Sequence, residues 1–91
     1  MRHPGKRQGT KAGGAKIAMA TARRQRALGA RVRELRKRRD WSQRGLADTC
    51  GLVPSQVGKI ERGEGNVTLT TLLKVAAGFD TTLTQLFSGL G

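Results

Sequence analysis

The ionisable side chains of this sequence are mostly cations, and they are concentrated in its first half. The chain has 91 residues with 18 Lys and Arg against 6 Asp and Glu, a formal net charge of +12. Residues 1–40 carry fourteen of these cations against Glu34 and Asp40, so they account for the whole excess. A cationic segment joined to a neutral body attracts polyanions through counterion release. Charge alone does not distinguish DNA from RNA or an anionic membrane.

Residues that commonly carry catalysis or bind metals are scarce. His3 is the only histidine and Cys50 the only cysteine, which excludes an internal disulfide and a thiolate-rich zinc site. Paired carboxylates, a Cys–His pair and a glycine-rich phosphate loop do not occur at usable spacing. We therefore predict no enzymatic activity, no catalytic or metal-binding residues and no cofactor. Cys50 has apolar neighbours and is predicted to be a small core residue.

Composition divides the chain into an arm and one small domain. The first residues, MRHPGKRQGTKAGGA, are Gly-rich and basic and cannot bury enough surface to offset their ordering entropy. We predict a largely disordered basic arm over residues 1–21 and a compact domain over residues 22–91. The apolar residues Leu28, Val32 and Leu35 have helical spacing, and this first helix can begin as early as residue 17.

Four shorter helices are predicted to follow, each with a recognisable boundary residue. Ser42 can cap the second helix, which ends at Gly51, and Pro54 fits the first turn of the third. Thr68 and Thr82 can cap the fourth and fifth helices. The fourth helix is expected to bury Leu69, Leu72, Leu73 and Ala76, and the fifth carries the apolar residues Leu83, Leu86 and Phe87. No strand pattern is found, so the predicted fold class is all-α with five helices.

The two short helices on either side of Gly51 are the most informative unit. A glycine-containing turn of three or four residues, with the small Ala47 where the helices touch, is typical of a helix-turn-helix. Several landmarks then resemble, in order and spacing, the phage-repressor and Cro type of helix-turn-helix protein, also called the xenobiotic-response-element family. The matching stretches are LGARVRELRKRRDWSQRGLADTCGL, VGKIERG and TLTTLLKVAAGFDTTLTQLF.

This resemblance implies a lambda-repressor-like domain that binds double-stranded DNA in a sequence-specific manner. The implied function is a transcriptional regulator, a repressor that binds a pseudo-palindromic operator as a homodimer with its third helix in the major groove. Such a protein is encoded by bacteria or phages and works in the cytoplasm on the nucleoid. We expect no membrane partner, since no apolar run of about 18 residues is present. No small-molecule ligand is expected either.

The resemblance also implies which side chains contact DNA. Base contacts fall on Ser55, Gln56 and Lys59, where Gln56 could pair with adenine in a bidentate manner and Lys59 could donate to guanine. The implied phosphate contacts are Arg36, Gln43, Arg44, Arg62 and Asn66. Glu61 matches a family glutamate that pairs with an arginine of helix one, here Arg36.

The sequence departs from the family pattern at two positions, and both departures weaken the DNA contacts that the resemblance implies. Pro54 replaces a long polar side chain and has neither its reach nor its donor. Glu64 stands where the family often has a cation, and a carboxylate near phosphate weakens binding. The arm could compensate through Arg23, Arg24 and Arg26, which we expect to follow phosphates or enter the minor groove. The alternative is a solubilising tail with no defined contact.

The same residues also allow partners other than DNA, namely a second copy of the chain, a toxin protein or RNA. The predicted dimer surface consists of Leu83, Leu86, Phe87 and Leu90, although Leu83 and Phe87 could instead close the monomer core. An alternative function is an antitoxin that binds a toxin protein and represses its own operon, because the same fold serves both purposes and NVTLTTLLKV resembles some antitoxins. RNA binding through the arm also remains open.

Overall fold

The computed structural model describes the backbone of residues 4–65 and 67–88, and the side chains of these ranges from residue 14 onward. Over these residues the chain forms five helices, namely α1 (Pro4–Arg38), α2 (Gln43–Cys50), α3 (Pro54–Glu61), α4 (Leu69–Gly78) and α5 (Leu83–Leu86). No strand occurs in the described ranges, and the all-α, five-helix prediction is confirmed. Of the helices described, none has the length and apolar character needed to cross a membrane.

The predicted helix boundaries are found with the expected hydrogen bonds. Ser42 Oγ accepts from the Gly45 N–H at 2.9 Å at the start of α2, and Gly51 ends that helix in the left-handed region with φ 73°. Thr68 accepts from the backbone N–H three residues later at 3.1 Å, and Thr82 does the same at 3.1 Å. These side chains satisfy backbone donors that a helix start leaves without an intrahelical partner.

Helix α1 begins much earlier than the sequence predicts. The structure has helix from Pro4, where a disordered arm was expected over residues 1–21. Proline suits a first helical position, and Ala, Lys, Arg and Gln residues with high helix propensity stand among the glycines that follow. Among the described side chains of this extension, Ile17 and Met19 are 67% and 71% exposed, so these two large apolar residues do not pack on the domain. The boundary of the packed domain near residue 22 remains a prediction.

The core lies between α1 and the shorter helices, with α3 packed against α1 and α2, and with α2 and α5 packed against α4. Gly29 of α1 is required there, because a Cβ at this position would collide with the backbone carbonyl oxygen of Ile60. Helix α3 thus rests against α1 backbone to backbone. The buried apolar side chains are Leu28, Val32, Leu46, Ala47, Cys50, Val57, Ile60, Val75, Ala76, Phe79 and Leu86.

Helix α4 is rotated relative to the prediction. Leu69 and Leu73 were expected inside the domain, but they are 62% and 50% exposed. The inner face of α4 consists instead of the partly buried Leu72 with Val75 and Ala76, and it continues to Phe79 just after the helix. Both sets have helical i, i+3, i+4, i+7 spacing, so periodicity alone could not choose between them.

Candidate nucleic-acid interface

One side of α3 is buried and the other side carries the predicted base contacts. Val57, Gly58 and Ile60 face the core, whereas Ser55, Gln56 and Lys59 are exposed. The structure therefore brings these three polar side chains together on one accessible face of α3, with Ser55 and Gln56 in its first turn and Lys59 in its last. Side chains of this kind can donate to or accept from the edges of base pairs.

The Gln56 amide has a contact that the sequence analysis did not foresee. Its Oε1 accepts a hydrogen bond from the Val53 N–H at 3.0 Å. Valine has no side-chain acceptor, so this bond is the reciprocal half of a capping box without the other half. The available signal was the spacing, since Gln56 lies three residues after the N-cap residue Val53, which is itself 54% exposed.

A buried ion pair joins α1 to the end of α3. Arg36 donates from Nε to Glu61 Oε2 at 2.6 Å, from Nη2 to Glu61 Oε1 at 3.0 Å and from Nη1 to the Trp41 carbonyl at 2.7 Å. Only 11% of the Arg36 side chain and 4% of the Glu61 side chain are exposed. The structure thus contains the Arg36–Glu61 pair that the resemblance implied. Three of the five guanidinium N–H groups of Arg36 already donate within the protein, so at most two remain for the predicted phosphate contact.

The protonation of this pair follows from its surroundings. Burial opposes the charge of Glu61, but hydrogen bonds from Arg36 and Gln43 and the charges of Arg36 and Arg33 outweigh it and lower the Glu61 pKa. The hydrogen bond to Glu61 raises the pKa of Arg36, although burial opposes this effect. Both groups are therefore charged at neutral pH.

Gln43 connects the ion pair to the first turn of α2. Its Nε2 donates to Glu61 Oε1 at 3.1 Å, which holds the side chain beside α3. Arg44 is exposed next to it. Arg33 was not among the predicted contacts; it is an exposed α1 residue whose charge acts on Glu61. Arg33 lies one helical turn before Arg36, a spacing that could have identified it.

The other predicted phosphate contacts lie at and after the end of α3. Arg62 Nε donates to Glu64 Oε2 at 3.0 Å, and both side chains are more than half exposed. The acidic residue singled out in the sequence therefore partly neutralises the cation beside it. Asn66 lies outside the described residues.

Residues 23–26 of α1 lie beside the loop that follows α3. Gln25 Nε2 donates to the Gly65 carbonyl at 2.7 Å. Gly63 has φ 70°, and a Cβ there would lie 2.9 Å from the Arg26 Cα. The structure thus places the exposed residues Arg23, Arg24 and Arg26 at the same end of the molecule as the last turn of α3.

The predicted dimer surface needs a correction. Leu86 is completely buried in the monomer, because α5 packs this side chain into the core, so it is not available to a partner. Leu83 is partly buried against the same core, whereas Phe87 is 40% exposed. Leu90 lies outside the described residues. Exposed large apolar side chains in this part of the chain also include Leu69 and Leu73.

Comparison with known proteins identifies relatives along most of this domain. A helix-turn-helix family model matches residues 32–86. The chain is 38% identical over 53 residues to the HTH-type transcriptional regulator SutR of Escherichia coli K12, covering 58% of this chain and 30% of SutR. It is 38% identical over 64 residues to the control protein C.SmaI of Serratia marcescens, covering 70% of this chain and 76% of that protein.

A solved structure agrees with these sequence matches. The restriction-modification controller protein C.AhdI from Aeromonas hydrophila is 43% identical and superposes with a TM-score of 0.66, covering 69% of this chain and 96% of C.AhdI. This chain therefore corresponds to nearly all of C.AhdI but to less than a third of SutR.

Proposed function

Because this chain belongs to the Cro/C1-type helix-turn-helix family of DNA-binding transcriptional regulators, we propose that it recognises a specific double-stranded operator through α3. The observation that supports this most strongly is the exposed face of Ser55, Gln56 and Lys59 on a helix whose other side is buried. The Arg36–Glu61 pair fixes the end of that helix against α1. A rigid helix with outward polar side chains can be inserted into the major groove.

Phosphate binding is assigned to the elements that flank α3. On one side are Gln43 and Arg44 at the first turn of α2, together with Arg33 of α1, where backbone donors and cations favour an anion. On the other side is Arg62, and Asn66, outside the described residues, is kept as a candidate phosphate contact. Residues 23–26 of α1 lie beside the loop after α3, which supports a role for Arg23, Arg24 and Arg26 in contacting the flanking DNA.

Dimer formation and repression complete the proposal. A single module of this size recognises only a few base pairs, and a homodimer on a pseudo-palindromic operator doubles that number. The dimer surface that we propose uses the exposed Leu69, Leu73 and Phe87, with Leu90. A repressor of this kind works in the cytoplasm on the nucleoid.

The likeness to control proteins favours a particular biological role. Since this chain matches nearly the full length of the controller C.AhdI, we propose that it regulates genes of a restriction-modification system. A DNA methyltransferase or endonuclease gene beside its own, with binding of the protein upstream, would support this role. The relatives described above are a transcriptional regulator and control proteins, which favours a regulator over an antitoxin.

Selection from random-sequence duplex pools tests the proposal directly. The full chain is expected to enrich a motif with two-fold symmetry, and Lys59→Ala is expected to relax one position in each half-site. Lys74→Ala is the matched control, because Lys74 is exposed on α4 rather than α3. A triple variant should lose affinity for operator and for random DNA equally; it replaces Arg23, Arg24 and Arg26 by Ala. Failure of the full chain to enrich any motif would refute sequence-specific recognition.

A further inference from the structure

The backbone at the start of α3 determines which part of Gln56 can face DNA. The residue before the helix is Val53, whose side chain cannot accept a hydrogen bond, and the first helical residue is Pro54, which has no N–H. The Val53 N–H donates to Gln56 Oε1 at 3.0 Å. Residues 53–56 are all exposed. The carbonyl of Gln56 is thus directed at the protein backbone.

The group left to point away from the backbone is the Gln56 amide NH₂, a hydrogen-bond donor. Its neighbours on the same face reinforce this character. Lys59 has only donors, Pro54 offers nothing, and the hydroxyl of Ser55 is the one side chain of the predicted set that can also accept. The exposed face of α3 is therefore a surface dominated by donors.

Base pairs differ in what they present to such a surface in the major groove. Guanine offers two acceptors, N7 and O6, and thymine offers O4. The bidentate glutamine–adenine pair needs the glutamine oxygen as well as its NH₂, because adenine presents both a donor and an acceptor. A glutamine whose oxygen is bonded to its own backbone gives up that arrangement.

We propose that Gln56 is a specificity-determining residue that reads its base as a donor, and so selects guanine or thymine rather than adenine. The capping bond to Val53 is what sets this choice. The inference rests on the proposed function, since it concerns the same helix in the major groove, and it replaces the bidentate adenine contact expected from the sequence.

The substitution Gln56→Glu separates capping from recognition. A carboxylate oxygen can still accept from the Val53 N–H, and negative charge is favourable in the first turn of a helix. The other oxygen is an acceptor where glutamine had a donor. The base preference at one position of each half-site should therefore change to cytosine or adenine, which present an amino group. We expect the ratio of preferred to rejected bases there to shift by about fivefold, as for one net hydrogen bond.

Selection from random duplex pools, run with the full chain and its variants, gives the result. Gln56→Ala identifies the position, because it relaxes only the base pair that Gln56 contacts, and Lys59→Ala should relax a different one. Hydrogen exchange of the Val53 amide reports the cap independently. It should be slow in the wild type and in Gln56→Glu and fast in Gln56→Ala.

The outcomes separate this inference from the regulator proposal. If the wild type selects adenine at the Gln56-dependent position, or Gln56→Glu changes no position while Lys59→Ala relaxes one, donor-only recognition by Gln56 is wrong and the regulator proposal stands. An unprotected Val53 amide in the wild type also overturns it. If the wild type enriches no motif at all, the regulator proposal fails, and the inference fails with it.

Discussion

Removal of Glu61 should damage this small domain more than removal of any surface carboxylate. Glu61→Ala leaves the guanidinium of Arg36, whose side chain is 11% exposed, facing a space that no longer contains its counter-charge. Two charge-assisted bonds at 2.6 and 3.0 Å are lost, and Gln43 also loses its acceptor. Breaking a buried pair by removing one partner costs about 3–5 kcal/mol. Because Arg36 keeps some access to solvent, we expect a value near the lower end, about 3 kcal/mol.

Thermal and urea unfolding of the full chain measure this loss. For a domain of this size, about 3 kcal/mol lowers the melting temperature by roughly 12–24 °C. The matched control is Glu34→Ala, which removes a carboxylate that is 51% exposed and pairs with Arg38 at 3.1 Å on the surface of α1. Surface pairs contribute about 0–1 kcal/mol, so this control should be nearly neutral.

The pH dependence gives the same prediction a second measurement. The folded-state pKa of Glu61 is lowered, so its contribution to stability is fully present above the unfolded pKa of about 4.3 and is lost as pH falls through the folded value. The difference in free energy of unfolding between wild type and Glu61→Ala should therefore be constant near neutral pH and shrink below about pH 4.

A double-mutant cycle isolates the pair itself. Replacing both Arg36 and Glu61 by apolar residues removes the unpaired charge that each single substitution leaves behind. The double variant should therefore be less destabilised than the sum of Arg36→Ala and Glu61→Ala. Additive losses, or a Glu61→Ala variant as stable as Glu34→Ala, would show that the pair does not hold α3 against α1.

Three other features of the described residues give shorter predictions. Glu64→Gln should free Arg62 from the 3.0 Å ion pair, raise the affinity for duplex DNA and steepen the salt dependence by about one counterion in a binding titration. Gly29→Ala should destabilise the domain by about 1–3 kcal/mol in urea unfolding through overpacking against α3, whereas Gly14→Ala, with open space around it, should have no such cost. Leu73→Ser should shift the protein from dimer to monomer in sedimentation without lowering monomer stability, since this side chain is 50% exposed.

The sequence predicted those parts of the fold that depend on nearby residues. A cap such as Ser42 or Thr68 bonds a backbone N–H three residues away, and the left-handed Gly51 is favoured by its own lack of a Cβ. The Arg36–Glu61 pair spans 25 residues, and the sequence provided it only through resemblance to a family. Distance along the chain therefore separates what could be predicted from what had to be observed.

The errors have physical causes of the same kind. Two helical stripes on α4 share Leu72 and Ala76, and only the packing against α2 selects the one that buries Val75 rather than Leu73. The orientation of the Gln56 amide, which the sequence left open, depends on the hydrogen bond from the Val53 N–H. Leu86 belongs to the core because α5 docks on α4, a tertiary contact that spacing does not encode.

Specificity and affinity are carried by different parts of this molecule. Residues 41–91 have four cations and four carboxylates, so the segment that contains α3 is neutral. Within it, Glu61 is held by Arg36 and Arg62 is held by Glu64, which leaves little free charge on α3 itself. The net charge of +12 belongs to residues 1–40, most of which lie in α1. Residues 23–26 of this helix lie beside the loop after α3. If α3 selects the base pairs, the attraction to phosphates must come mainly from α1, and the two properties should respond separately to mutation and to salt.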